Sequence, residues 1–249
     1  MTIVDIVGLG VLLAIALLML VLALIERRWP SSLRPLAGIE SLGKAVERTV
    51  EAGEQVHLSL GTGSVTGSNV APALAGLSAL THVATATAVG DKPLVVTAGD
   101  GTMTVLAQDT LRSSYERIGR GRAYRHTAAR MLGATPFSYV AGVPLLLSME
   151  GTTVHLLLGS FGVEGALAAD VGERGGAFVL GGTDDVRTQA LMYAAAGYPL
   201  IGEEIFATGA YLDGGGFQQA SLRVQDAVRL LVIVVVVLGT ILLSLGVSP

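Results

Sequence analysis

The sequence contains no cysteine. That absence excludes a disulfide framework, a thiolate nucleophile, an iron–sulfur cluster and any zinc site built on cysteine. Lysine is scarce too. Only Lys44 and Lys92 occur, against fourteen arginines, so a mechanism that turns on a titratable amine has few candidates. Charged residues make up 14% of the chain, well below the roughly 25% of an average soluble protein. The net charge of −4 at pH 7 gives no basis for nucleic acid as a partner. The motifs HExxH, GxSxG and GxxxxGK(S/T) are all missing; Ser160 in LGSFG lacks the glycine two residues before it.

What the sequence has instead is apolar length. Hydrophobic residues make up 51% and the mean hydropathy is +0.63, so part of the chain belongs in lipid. Ile6–Ile25 is twenty residues without a charge, the length that crosses a hydrocarbon core of about 30 Å. Residues 230–247 form a second uncharged run at the short end of the spanning range. The first run reads as a retained anchor, not a cleaved signal peptide. Its amino end is acidic at Asp5, the run is too long, and no small-residue cleavage site follows.

Basic residues set the expected orientation. Arg27, Arg28 and Arg34 follow the first run, Arg223 and Arg229 precede the second, and the outer ends carry none. Positive-inside bias then places residues 26–229 in the cytoplasm, both termini outside, and the chain twice across a plasma (inner) membrane. Arg27, Arg28, Trp29 and Arg229 are the expected interfacial anchors. No ionisable residue lies inside either run, so no ion or proton path is marked.

The expected organisation is an N-terminal anchor over 1–28, a juxtamembrane linker and helix over 29–53, an α/β domain over 54–214, and a juxtamembrane helix continuing into the second span over 215–249. Inside the domain, short apolar runs at 56–60, 93–97, 154–158 and 177–180 each end in glycine and polar residues and lead into a helical stretch. Near-continuous apolar runs between helices indicate strands buried on both faces of a parallel sheet. Ser68, Asp100 and Thr183 read as helix caps, Pro144 as a kink or end, and Pro199 as the opening of a further helix.

VHLSLGTGSVTG at 56–67 and VHLLLGSFGVEG at 154–165 match at seven of twelve positions without a gap. A duplicated βαβα unit follows, and with it a Rossmann-like, mainly parallel sheet of about four strands between two transmembrane helices. Right-handed crossovers would gather the glycine-rich loops at one sheet edge, where open α/β sheets bind ligands. That rim would comprise Gly61, Thr62, Gly63, Ser64, Gly99, Asp100, Gly159, Ser160, Glu164, Thr183 and Asp184.

Two readings of the rim stand side by side. One is a cradle for a nucleotide or phosphorylated metabolite, with Asp100, Asp184, Asp185 and Glu164 converging as a Mg2+ site. The other is tight turns and helix caps. The dinucleotide pattern is broken, since Thr66 stands where GxGxxG needs glycine, and the ribose-binding acid is missing. No catalytic residue, metal ligand set or cofactor is identified. His57 and His155, at equivalent repeat positions, read as structural histidines, with metal or acid–base use as the alternative. Arg112, Arg117, Arg120, Arg122, Arg125 and Arg130 form a basic, loop-like stretch, read either as a solvated face or as a contact for anionic headgroups or for acids of a neighbouring subunit.

At LSLGTG, AGDGT, TPFSY, LLLGSFGVEG and IGEEIFATGAYL the chain resembles an uncharacterised family of two-span membrane proteins of filamentous green non-sulfur bacteria and their relatives. The resemblance implies a membrane setting and brings no activity or site residue with it. The functional expectation is a membrane-anchored scaffold or assembly subunit whose partners are the lipid bilayer and either further copies of itself or other membrane-complex subunits. The alternative is a membrane-tethered module that binds a nucleotide or phosphorylated metabolite, with enzymatic activity left open.

Overall fold

Uncharged apolar sequence forms the two longest helices in a computed structural model, which describes residues 3–28, 34–67, 69–213 and 216–244. Trp29, Ser68 and the side chain of Arg27 lie outside the described residues. By contacts the chain divides into two compact units, residues 35–212 and residues 1–34 with 213–249.

The second of these holds α1 (Ile3–Arg28) and α9 (Gly216–Ser244), which lie along one another. The last helix runs without a break from Gly216 into the apolar stretch. Thr240 Oγ1 donates to the Val236 carbonyl at 2.8 Å and Ser244 Oγ to that of Ile241 at 2.8 Å. Both hydroxyls are thus satisfied within the helix, as a lipid environment requires.

Residues 35–212 form a parallel sheet with helices on both faces. In chain order they are α2 (Ala37–Glu51), β1 (Gln55–Gly61), α3 (Val70–Thr87), β2 (Val95–Ala98), α4 (Gly101–Arg117), β3 (Ala129–Met131), α5 (Pro136–Glu150), β4 (Thr152–Ser160), α6 (Glu164–Arg174), β5 (Phe178–Gly182), α7 (Val186–Ala195), β6 (Tyr198–Leu200) and α8 (Glu204–Asp213). The strand order is β3-β2-β1-β4-β5-β6, with every pair parallel. The sheet therefore has six strands where about four are expected from the sequence. β3 and β6 are the additions, each three residues long at an edge.

Helices α2, α3 and α4 cover one face and α5, α6 and α7 the other. Side chains alternate along each strand between these layers. Val56, Leu58, Leu60, Val154, Leu156 and Leu158 join Leu42, Leu80 and Leu111 in the first core. Val95, Leu157 and Val179 join Tyr139, Val143 and Ala168 in the second. β1 is buried at every position, as a central strand covered on both faces must be.

Three helix boundaries differ from expectation. Asp185, not Thr183 or Asp184, caps α7, accepting from Thr188 N–H at 2.7 Å. Pro144 sits inside α5, which continues through it to Glu150. Pro199 lies in β6 and α8 begins at Glu204, whose carboxylate accepts from Ile201 N–H at 2.9 Å. The arginine stretch is likewise not one loop: α4 carries Arg112 and Arg117, a 3-10 turn over Gly121–Ala123 carries Arg122, and β3 carries Arg130.

Candidate functional site

The strand order reverses between β1 and β4, and the loops leaving those two strands flank a cavity of about 580 Å3. That volume is in the range of small-molecule pockets. Thr62, Asn69, Ser160, Glu164, Asp184, Asp185 and Arg187 supply its polar walls, with Pro136 and Phe161 beside them.

Of the rim residues expected from the sequence, Thr62, Ser160, Glu164 and Asp184 line the cavity. The glycines serve the backbone. A Cβ on Gly61 (φ +71°) would collide with the Ser160 carbonyl, one on Gly159 with the Leu60 carbonyl, and one on Gly63 would lie 2.7 Å from Ser160 Cβ. This close approach lets Thr62 N–H donate to the Ser160 carbonyl at 2.9 Å, holding the two loops together. Thr183 is buried behind them, its hydroxyl 3.2 Å from both the N–H and the carbonyl of Phe161.

Three of the four acids, Glu164, Asp184 and Asp185, line the cavity, and the fourth does not. Asp100 caps α4 through Met103 N–H at 2.9 Å and is not among the cavity's lining residues; Gly99 and Ser64 are not among them either. Asp185 is committed to Thr188, whose backbone N–H holds its carboxyl below the usual range. Glu164 is buried, and its carboxylate accepts from Gly162 N–H at 2.8 Å. Among the described residues no three acidic or histidine side chains gather as metal ligands.

A second polar feature lies inside the sheet. His57 and His155 are register partners on β1 and β4. Their rings stack with centroids 4.8 Å apart, and their Nδ1 atoms are 2.8 Å apart. That is a hydrogen bond, shorter than the roughly 3.3 Å that tetrahedral geometry sets between two nitrogens on zinc. His57 Nε2 lies 2.9 Å from Thr97 Oγ1, which lies 2.6 Å from Tyr139 Oη, which lies 2.5 Å from Ser59 Oγ. All five side chains are buried.

With both rings neutral, protons can point along this chain in either direction, and each direction leaves His155 Nε2 without a partner. Burial holds His57 well below the usual 6.5 and His155 down to about 3, and it pushes Tyr139 up to about 12. The cluster belongs to the α5–α7 side of the sheet and lies apart from the residues that line the rim cavity.

A family match covers residues 4–248, almost the whole chain. The chain belongs to that family, a domain of unknown function (DUF6754). No curated protein and no solved structure matches it. The family description assigns no activity, so the chemistry must come from the side chains.

The outer surface of the α5–α6–α7 layer is the third feature of this family member. Helix α5 carries no charge before Glu150. Its inner face buries Tyr139, Val140, Val143, Leu146 and Leu147, yet its outer face is apolar too. Phe137, Leu145 and Met149 on that face are 67%, 65% and 76% exposed, at positions separated by whole turns. Val163 and Leu167 next to and on α6, and Val186, Leu191 and Tyr193 on α7, extend the exposed apolar surface across the layer.

Two functional candidates escaped the sequence reading. The α5 stripe gives no periodic signal, because a helix apolar all round has no contrast between its faces. Arg187 did leave a signal: a cation in the first turn of α7 sits at the positive end of the helix, which the helix itself disfavours.

Proposed function

We propose that this chain is a membrane-anchored assembly subunit: two membrane spans tether a Rossmann-like cytoplasmic domain, built on a duplicated βαβα unit, which joins further copies or other membrane-complex subunits. The observation that carries the reading is the exposed apolar surface on α5, α6 and α7. Monomeric soluble domains seldom expose contiguous apolar patches of this kind, and larger ones mark interaction sites. Among the described residues three helices are long and apolar enough to cross a membrane: Ile6–Ile25, Val70–Thr87 and Gln218–Ile241. The middle one is α3, which buries Ala73, Leu80 and Ala84 against the sheet and belongs to the domain core. Two spans therefore fit the chain better than three.

The mass of the detergent-solubilised full chain, measured by light scattering, tests the reading. A defined multimer or a stable complex with other membrane proteins is expected; a monodisperse monomer with no partner in native membranes overturns it.

A second reading rests on the cavity at the reversal of strand order. Ligands of open α/β sheets bind there, and Arg187, Ser160 and Thr62 offer donors while Asp184 and Glu164 offer acceptors. A nucleotide or phosphorylated metabolite is the class to screen, with and without Mg2+. Stabilisation by one such compound that is lost in Arg187→Ala supports the reading; no stabilisation by any of them removes it.

A further inference from the structure

The connection between α4 and β3 is rich in arginine. From Arg117 to Arg130 it holds five arginines and His126 and no acid. Some of these cations are committed. Arg112 pairs with Glu116 at 2.9 Å and Arg130 with Glu150 at 2.9 Å. Arg117 donates to Ser114 Oγ at 3.2 Å. Arg120 donates to the Ala88 carbonyl at 2.8 Å, which fastens the connection to the end of α3. Arg122 and Arg125 are exposed, and their side chains make no hydrogen bond or ion pair among the described residues.

The place of this connection gives the charge a partner. Leu212, the last residue of the domain unit, shares a cleft with Val83, Ala86 and Val89 at the same end of α3. The chain therefore leaves for its second apolar stretch from the end of the domain that carries the free arginines. The tethers are short. Residues 217–229 precede the uncharged run from Leu230 and amount to about 20 Å of helix. The six residues between Arg28 and Pro35 reach at most about 20 Å when extended.

We infer that the Arg122–Arg125 turn docks on anionic lipid headgroups and holds the domain against the membrane surface. The inference rests on the membrane-anchored reading above. Guanidinium groups bind phosphate oxygens in a planar, two-pronged fashion, and a basic segment within a Debye length of an anionic leaflet is attracted to it. Tyr124, between the two arginines and in edge contact with Tyr115, stiffens the turn.

The absence of native cysteine makes a direct test practicable. The exposed Ala123, changed to Cys in the full chain, takes one polarity-sensitive fluorophore; a parallel Leu12→Cys chain labels the first apolar helix. Both are placed in nanodiscs of phosphatidylcholine alone or with about 30% phosphatidylglycerol, with spin-labelled lipid as quencher. The expected result is quenching at position 123 only in the anionic discs, weakened on going from about 0.05 M to about 0.5 M salt. Arg122→Gln and Arg125→Gln should each lower the docked-to-free ratio about fivefold. Quenching at position 12 without quenching at position 123 in anionic discs overturns the inference and leaves the membrane anchors standing. No quenching at position 12 removes the anchored reading itself. A change at position 123 that follows protein concentration but not lipid charge assigns the turn to a second copy and also overturns the inference.

Discussion

The two faces of the sheet are built in opposite senses. Under α2, α3 and α4 the strands present mainly apolar side chains, Leu58 and Leu156 among them, with Thr153 of β4 meeting Thr49 of α2 at 2.9 Å as a polar exception. Under α5, α6 and α7 the same strands present His57, Ser59, Thr97 and His155, joined through Tyr139, while the helices above expose Phe137, Leu145 and Met149. One layer is mainly apolar inside; the other holds a polar chain inside and carries the apolar stripe of α5 outside. The apolar exterior therefore does not follow from a lack of core positions to fill. It is a surface in its own right, and the buried polar chain fixes the register of the helix that bears it.

Breaking the apolar face should have the largest effect. Leu156 is fully buried at the centre of β4. Leu156→Ala removes its methyl contacts and leaves a cavity, and a loss of about 2–5 kcal/mol is expected in a denaturant titration. A loss below about 1 kcal/mol would mean that this face is plastic, and the contrast with the polar face would fail.

Acid should single out the polar face. His57 and His155 are held neutral by burial, with folded values below the 6.5 of an unfolded histidine, His155 at about 3. Above pH 6.5 neither state takes up the proton and the stability is complete. As pH falls below 6.5 the unfolded chain is protonated first, so stability drops by about 1.4 kcal/mol per pH unit for each histidine still neutral in the fold, down to about pH 3 for His155. Denaturant midpoints between pH 7 and 5 should show this slope. His57→Asn should flatten it, and a pH-independent midpoint in the parent chain would show that the pair is not held neutral.

Tyr139→Phe tests the same face more gently. Among the described residues the phenol is what joins Thr97 to Ser59, at 2.6 and 2.5 Å. Removing it leaves two buried hydroxyls each short of a partner, at a cost of about 1–3 kcal/mol. An unchanged melting point would mean that water or a rotated Ser59 replaces it.

Much of this contrast was legible beforehand, and the limits have physical causes. The echo of VHLSL in VHLLL located both central strands and placed the histidines at equivalent positions. That they touch depends on β1 and β4 being neighbours, which no local pattern states. The edge strands were missed because three residues carry no alternation, and because Pro199 argues against a strand except at an edge, where its missing N–H is harmless. At the rim, Thr62, Ser160, Glu164 and Asp184 line one cavity, since residues after consecutive parallel strands share an edge. Which of Asp184 and Asp185 caps α7 is not legible, because adjacent acids at a helix start compete for one cap and only the backbone decides between them.

The smallest effect on folding is expected where the consequence for assembly is greatest. Phe137, Leu145 and Met149 point away from the core, so changing each to glutamate removes no buried contact within the chain. Such exposed positions usually shift stability by no more than about 0.5 kcal/mol, and α5 keeps its Thr135–Ser138 capping box and its Gly151 stop. Charges set in a contact between subunits would instead be stranded without water or a partner, which associating surfaces do not tolerate. The triple variant should therefore melt like the parent chain while its mass in mild detergent falls to that of the monomer. If it keeps the parent's mass, the α5 surface is not where subunits meet. If it melts early, α5 is held by more than its inner face, and the division between a polar interior and an apolar exterior would have to be redrawn for this layer.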